Sequence, residues 1–183
     1  MAGWLGLRRR GRHERVGFEL YGAAVAAARD PYLYTALHVP DTLDGRFDMV
    51  GLHAFLLIDR LTAEPPQGPP VAQAVFDAMF SDMDVNLREM GVGDLSVGKK
   101  VRAMWEAFHG RAAAYTPALR AGDAEALTAA LVRNVWRGAP PDGESPARLA
   151  RVATAQHRTL AAQPLADLAA GRARYLPAME AAR

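Results

Sequence analysis

The apolar residues of this chain recur in steps of four and three, and prolines and glycines stand between the recurring stretches. Leu43, Phe47, Val50, Ala54, Leu57 and Leu61 form one such series. Phe76, Phe80, Met83, Leu87 and Met90 form another. A turn of 3.6 residues brings positions spaced this way onto one face, so each series predicts an amphipathic helix. A half-buried strand would need alternation with period two, and no segment shows it.

The punctuation divides the chain further. A first helix is expected over residues 14–28, with Phe18, Tyr21, Val25 and Ala28 on its stripe and Asp30-Pro31 as its stop, because proline pushes the preceding residue out of the α region. Asp41 or Thr42 can cap the second helix, and Asp44 suits its positive end. The Pro-rich stretch at residues 64–70 separates it from a third, over residues 71–90, with Gly91 and Gly93 as stops. Asp94 can cap a fourth, carrying Val97, Val101, Met104, Phe108 and Tyr115 and closed by Pro117. Asp123 opens a fifth with Leu127, Leu131 and Val135. Ser145-Pro146 opens a sixth with Leu149, Val152 and Leu160, serine capping and proline at the first helical position. A short helix after Pro164 would carry Leu165 and Leu168. The expected fold is all-α: a single compact bundle of about six or seven helices.

Composition agrees. The chain has 183 residues, half of them hydrophobic, enough for one domain with a sizeable core. Alanine is abundant while Thr, Ile and Tyr are sparse, which favours helix over sheet. Cysteine is absent, which excludes disulfides, thiolate metal sites and cysteine nucleophiles. A formal charge of +2 is too small to argue for nucleic acid as an obligate partner, and no recognition of a specific nucleic-acid sequence is expected. No apolar run reaches the roughly 20 residues that span a bilayer. Residues 1–12 read as a basic N-terminal tail and residues 13–183 as the helical domain. The tail is not a secretory signal, because its positive cluster follows a short apolar stretch and does not precede it. Trp4, Leu5 and Leu7 beside its arginines suit weak seating on an anionic membrane surface.

Several motifs invite chemistry and decline it. Residues 93–100 match the phosphate-loop pattern G-x-x-x-x-G-K-[ST] except at the last position, where Lys100 replaces the magnesium-binding hydroxyl. A helix, not a strand, precedes them, so a cap and turn is the better reading. The histidines His13, His38, His53, His109 and His157 show no paired ligand spacing, and His53 reads as a hydrogen-bonded core residue. Asp77 and Asp84 share a helix face but read as solvated charge. No serine sits in a nucleophile elbow. No metal, cofactor or catalytic residue is expected.

Four segments carry a resemblance. The first is Pro40-Asp41-Thr42, then Phe47, then Leu52-His53 and an apolar run to Leu57. The second is an acidic helix over residues 76–87, running into Arg88-Glu89-Met90-Gly91-Val92 and Gly98-Lys99-Lys100. The third is Ala107-Phe108-His109-Gly110 with Tyr115. The fourth is Leu127 through Arg133-Asn134-Val135-Trp136. Together, across residues 14–165, they resemble the ubiquinol–cytochrome c chaperone family, in a bacterial form. The resemblance implies an all-helical, non-catalytic assembly factor. It would bind newly synthesised cytochrome b and promote biogenesis of the bc1 (ubiquinol–cytochrome c reductase) complex. It also brings in the ribosome or a small helical co-chaperone as further partners, and places the chain in the bacterial cytoplasm or at the inner face of the inner membrane. The alternative is a helical cofactor- or lipid-binding protein, with haem or lipid held between helices.

The candidate partner-binding residues are Trp4, Arg46, Phe47, Phe76, Phe80, Glu89, Lys99, Lys100 and Arg102. Lys99 and Lys100 are the only lysines of the chain. Both are expected near the positive end of a helix, where the dipole disfavours cations. That mismatch marks them as candidates for contact with a client, ribosome or membrane phosphate.

Overall fold

A computed structural model describes the backbone of residues 2–183 and the side chains of residues 11 and 13–183. Its helices are α1 (Ala2–Ala28), α2 (Pro31–Thr35), α3 (Leu43–Thr62), α4 (Gly68–Glu89), α5 (Asp94–Ala121), α6 (Ala124–Val135), α7 (Ser145–Ala161), α8 (Leu165–Leu168) and α9 (Ala178–Ala181). Among the described residues there is no strand, and no helix is long and apolar enough to cross a membrane. Six of the helices are long, in line with the expected bundle. α2 and α9 were not foreseen, because five and four residues carry too few apolar positions to show a period.

α3 lies at the centre. It packs on α1, α4 and α7, and touches α5 and α6. Its burial runs nearly unbroken from Asp48 to Leu57, which is why its apolar residues crowd well beyond one stripe. Thr42 caps it, its hydroxyl accepting from the Gly45 amide at 3.1 Å. Asp123 caps α6 through the Ala126 amide at 2.9 Å. Arg60 closes the far end of α7, donating to the Leu160 and Gln163 carbonyls at 3.2 and 3.1 Å. α1 and α4 approach closely at Gly17, where a Cβ would stand 2.4 Å from the Ala74 carbonyl oxygen, so only glycine fits there.

Several local expectations are corrected. α1 begins at Ala2, ahead of the expected start at residue 14. Asp30 does more than precede a stop: its carboxylate accepts from the Tyr32 amide at 2.9 Å and caps α2, with Pro31 as the first helical residue. Gly91 takes the left-handed turn after α4 with φ of 78°, but Gly93 is extended and holds the cap position of α5 itself. Asp94 is therefore the first helical residue, and its carboxylate pairs with Arg88. Glu144 takes the cap position of α7 that Ser145 was expected to fill. Pro117 does not close α5, which continues to Ala121. Ala113 and Pro117 both lie on the exposed side, so the carbonyl that proline leaves without a helical partner is open to solvent.

Three stripe residues also face outward: Phe18, Leu43 and Met90 are each about half exposed. The inner face of α1 is Val16, Leu20, Tyr21, Ala24 and Ala28, rotated away from Phe18.

His53 is the core histidine its neighbourhood implied, 1% exposed, with Nδ1 donating to the Met49 carbonyl at 2.8 Å. Burial pulls its pKa below the ordinary histidine value. The unfolded chain gains a proton below about pH 6.5 that the folded ring resists. The stability this neutral ring supports is present above that pH and is lost as pH falls. In urea titrations from pH 8 to 5, the wild type should lose its advantage over His53→Gln as pH drops. A constant gap between them would show that His53 does not titrate this way.

Candidate functional site

An open groove of about 540 Å³ is walled by α1, α2, α3 and α4, with Met104 of α5 closing one side. Val25, Phe47, Val50, Met83, Leu87 and Met104 give it an apolar lining. Three of the six come from α4 and α5, and two of these are methionines, whose flexible thioethers adapt to different apolar surfaces.

Polar groups border the lining. The Tyr21 hydroxyl donates to Asp82 at 2.8 Å. Burial, then the hydrogen bond to Asp82, pushes that phenol up, so it stays a donor at all ordinary pH. Arg46 meets Asp41 at 2.6 Å on the opposite rim, and the hydrogen bond holds the Asp41 carboxyl below its ordinary value. Tyr34 is fixed by donation to the Ala28 carbonyl at 2.8 Å, and Arg29 stands exposed beside it. The groove thus offers an apolar bed with charge of both signs at its edges, a build suited to an amphipathic helix.

Beneath Phe47 lies a buried ion cluster. Asp48 is 1% exposed at its side chain. Its Oδ2 accepts from Arg137 at 2.8 Å, and its Oδ1 faces Arg111 Nη2 at 2.6 Å as an ion pair without an aligned hydrogen bond. Burial pushes the Asp48 carboxyl up to about 6, while Arg111 and Arg137 draw it down. At neutral pH it is therefore ionised. Arg111 also sits 5.4 Å from the centre of the Phe47 ring, so one guanidinium links the buried carboxylate to the groove wall. Arg137 reaches Asp48 from a left-handed backbone with φ of 55°, and the neighbouring Trp136 indole donates to the His38 carbonyl at 2.9 Å.

The structure gathers only part of the expected set. Arg46 and Phe47 line the groove. Phe76 and Phe80 turn toward α5 and pack with Phe108, at centroid distances of 5.7 and 6.3 Å. They line neither described cavity. Glu89, Lys99, Lys100 and Arg102 are exposed around the α4–α5 turn. Arg102 is paired with Glu106 at 3.0 Å, whereas Glu89, Lys99 and Lys100 make no ion pair among the described residues. The side chain of Trp4 lies outside the described residues. Residues 93–100 are helical from Asp94 and follow α4, so the strand that a phosphate loop requires is not there. Among the described residues no cluster of His, Asp and Glu could hold a metal ion.

Sequence reasoning missed Asp48 and most of the groove. Met83 and Leu87 read as core and are buried, but the surface they keep, together with partly buried Met104, lines the groove, which spacing alone does not show. An acid placed four residues before Leu52 on the apolar helix α3 was the one signal that could have found Asp48.

Among the described residues, the fold is all-helical and carries an open groove lined in part by methionines. A family model described as Ubiquinol-cytochrome C chaperone matches residues 35–175, and the chain belongs to that family. It is similar to the Cbp3 homolog from Brucella abortus, whose crystal structure superposes with a TM-score of 0.84 at 35% identity, covering 98% of this chain and 99% of that one. It is also 27% identical over 97 residues to ubiquinol-cytochrome-c reductase complex assembly factor 1 of Xenopus laevis. That alignment covers 53% of this chain, which spans about half the length of the frog protein, 48% of it.

Proposed function

We propose that this chain is an assembly chaperone that binds newly made cytochrome b in the α1–α4 groove and promotes assembly of the bc1 complex. The observation that carries this reading is the groove itself, an adaptable apolar bed in a member of this chaperone family. A nascent membrane subunit presents apolar helices that need cover before assembly. The proposed place of action is the bacterial cytoplasm, at the inner face of the membrane. Deleting the gene should reduce the b-type signal of the bc1 complex in a reduced-minus-oxidised membrane spectrum, and tagged protein should co-purify cytochrome b. Normal bc1 levels in the deletion strain would refute the reading. A Soret band carried by the purified chain alone would assign it to cofactor binding.

Lys99 and Lys100, with Arg102, are proposed as a polar contact with the client or with phosphate of the ribosome or membrane. Both lysines are exposed. Changing both to Gln should leave the melting temperature within about 2 °C, since exposed charges contribute little to stability. It should also lower assembled bc1 complex. Unchanged bc1 levels in a stably expressed double variant would make these lysines ordinary surface.

A further inference from the structure

Four charged side chains line the groove: Arg29, Asp41, Arg46 and Asp82. Asp41 and Arg46 neutralise each other at 2.6 Å. The other two keep their charge. Asp82 accepts from the Tyr21 hydroxyl at 2.8 Å, a neutral donor that leaves the carboxylate negative. Arg29 makes no ion pair among the described residues. It nevertheless belongs to the groove. Burial pushes the phenols of Tyr21 and Tyr34 up, and the Arg29 charge stands close enough to both to draw them back.

These two charges lie at different points along one wall. Tyr21, Val25 and Arg29 line the groove in steps of four, on α1 and just past its end. At 1.5 Å per residue, Arg29 lies about 12 Å beyond the turn whose Tyr21 holds Asp82, a little over two helical turns. Apolar Val25 stands between them.

An anion and a cation spaced in this way distinguish the two directions in which a helix can lie. A helix carries partial positive charge at its N-terminus and partial negative charge at its C-terminus. Laid in the sense of α1, it turns its N-terminal end to Asp82 and its C-terminal end to Arg29, and both ends are favoured. Laid the other way, both ends meet like charge. Charged residues flanking the apolar stretch strengthen the choice, because a base at the first end pairs with Asp82 and an acid at the second pairs with Arg29.

We infer that the groove selects the direction of its ligand: it takes an apolar helix running in the sense of α1, with a basic flank at its N-terminal end against Asp82 and an acidic flank at its C-terminal end against Arg29. Arg29 is the residue that fixes this sense. The polarity rests on the reading of the groove as a client-helix site.

The probes are two peptides of about 14 residues, enough for the turns between Asp82 and Arg29 with a flank at each end. Both carry fluorescein on a central cysteine, acetylated and amidated ends, and one amphipathic body of Leu, Ala and Gln. The first has Lys near its N-terminus and Glu near its C-terminus, and the second has the two exchanged. The second is the better helix in water, because its charges suit its own dipole. A preference for the first therefore comes from the protein. Anisotropy with the full chain should show the first peptide binding about fivefold tighter or more, with a ratio that shrinks as salt is raised. In Arg29→Glu both points are acidic, so each peptide gains one contact and loses one in either direction. The ratio should then fall to unity. Val50→Glu should weaken both peptides alike, which places them in the groove.

Equal binding of the two peptides to the wild type, both weakened by Val50→Glu, overturns the inferred polarity and leaves the groove standing as a helix site. A preference that persists in Arg29→Glu also overturns it. Binding of neither peptide, or binding that Val50→Glu leaves unchanged, overturns the polarity and the groove reading together. Arg29→Gln separates recognition from a service to α1 itself, since a cation at a helix C-terminus also suits that helix's dipole. Its melting temperature should fall by no more than about 3 °C while most of the preference is lost. A larger fall with the preference intact assigns Arg29 to the end of α1 and overturns the inference.

Discussion

Asp48→Ala is expected to lower the free energy of unfolding by roughly 3–5 kcal/mol, the range for removing one partner of a buried ion cluster. The cost comes chiefly from what remains. Arg137 is half exposed at its side chain and can rehydrate, but Arg111 is only 15% exposed and would keep its charge with no counter-ion. For a domain of this size the melting temperature should fall by about 10 °C. Urea unfolding followed by circular dichroism measures the loss directly. Pairing Asp48→Leu with Arg111→Met should recover most of it, because the cluster's desolvation penalty then disappears along with its attraction. A loss under about 1 kcal/mol for Asp48→Ala would mean that water reaches the carboxylate. Freed from Asp48, Arg111 would also lose its position against Phe47, so the groove wall should loosen in the same variant.

Introducing a carboxylate into the groove lining is expected to lower cytochrome b capture at least tenfold while sparing the fold. Val50→Glu and Met104→Glu test this from two walls, α3 and α5. Both positions are only partly buried, so the new charge keeps access to water in the free protein. In the occupied groove it would be desolvated against an apolar helix, and an uncompensated charge there costs several kcal/mol. The control is Val85→Ser on α4, exposed and outside the groove lining. Tagged variants would be compared by the cytochrome b they retain and by their melting temperatures. If both Glu variants fold and retain cytochrome b like the wild type, the client lies elsewhere, and the exposed α4–α5 turn becomes the next surface to test.

The helices were legible in the sequence because their causes are local. Leu43 to Leu61 and Phe76 to Met90 step by four and three whatever surrounds them, and Thr42 and Asp123 cap from within their own turns. His53 could be placed in the core from its apolar neighbours on α3, and the family from segments spread along the chain. Which side of a stripe meets the core was not local. Phe18 fits the spacing of α1 as well as Leu20 does, and only the approach of α4 at Gly17 decides that Leu20 goes inside. Pro117 could continue a helix because the fold turns that side of α5 to water. The groove joins residues from Tyr21 to Met104 on five helices, and the Ala178 amide donates to the Asp30 carboxylate across 148 residues. The sequence by itself determined the helical class, most helix limits and the kinship, because backbone propensity and capping act within a few residues. The groove, the Asp48 cluster and the bonds of Gln156 and Gln163 to the backbone of Leu176 and Arg174 were decided by tertiary structure alone, since they exist only where separate segments meet and share the loss of water.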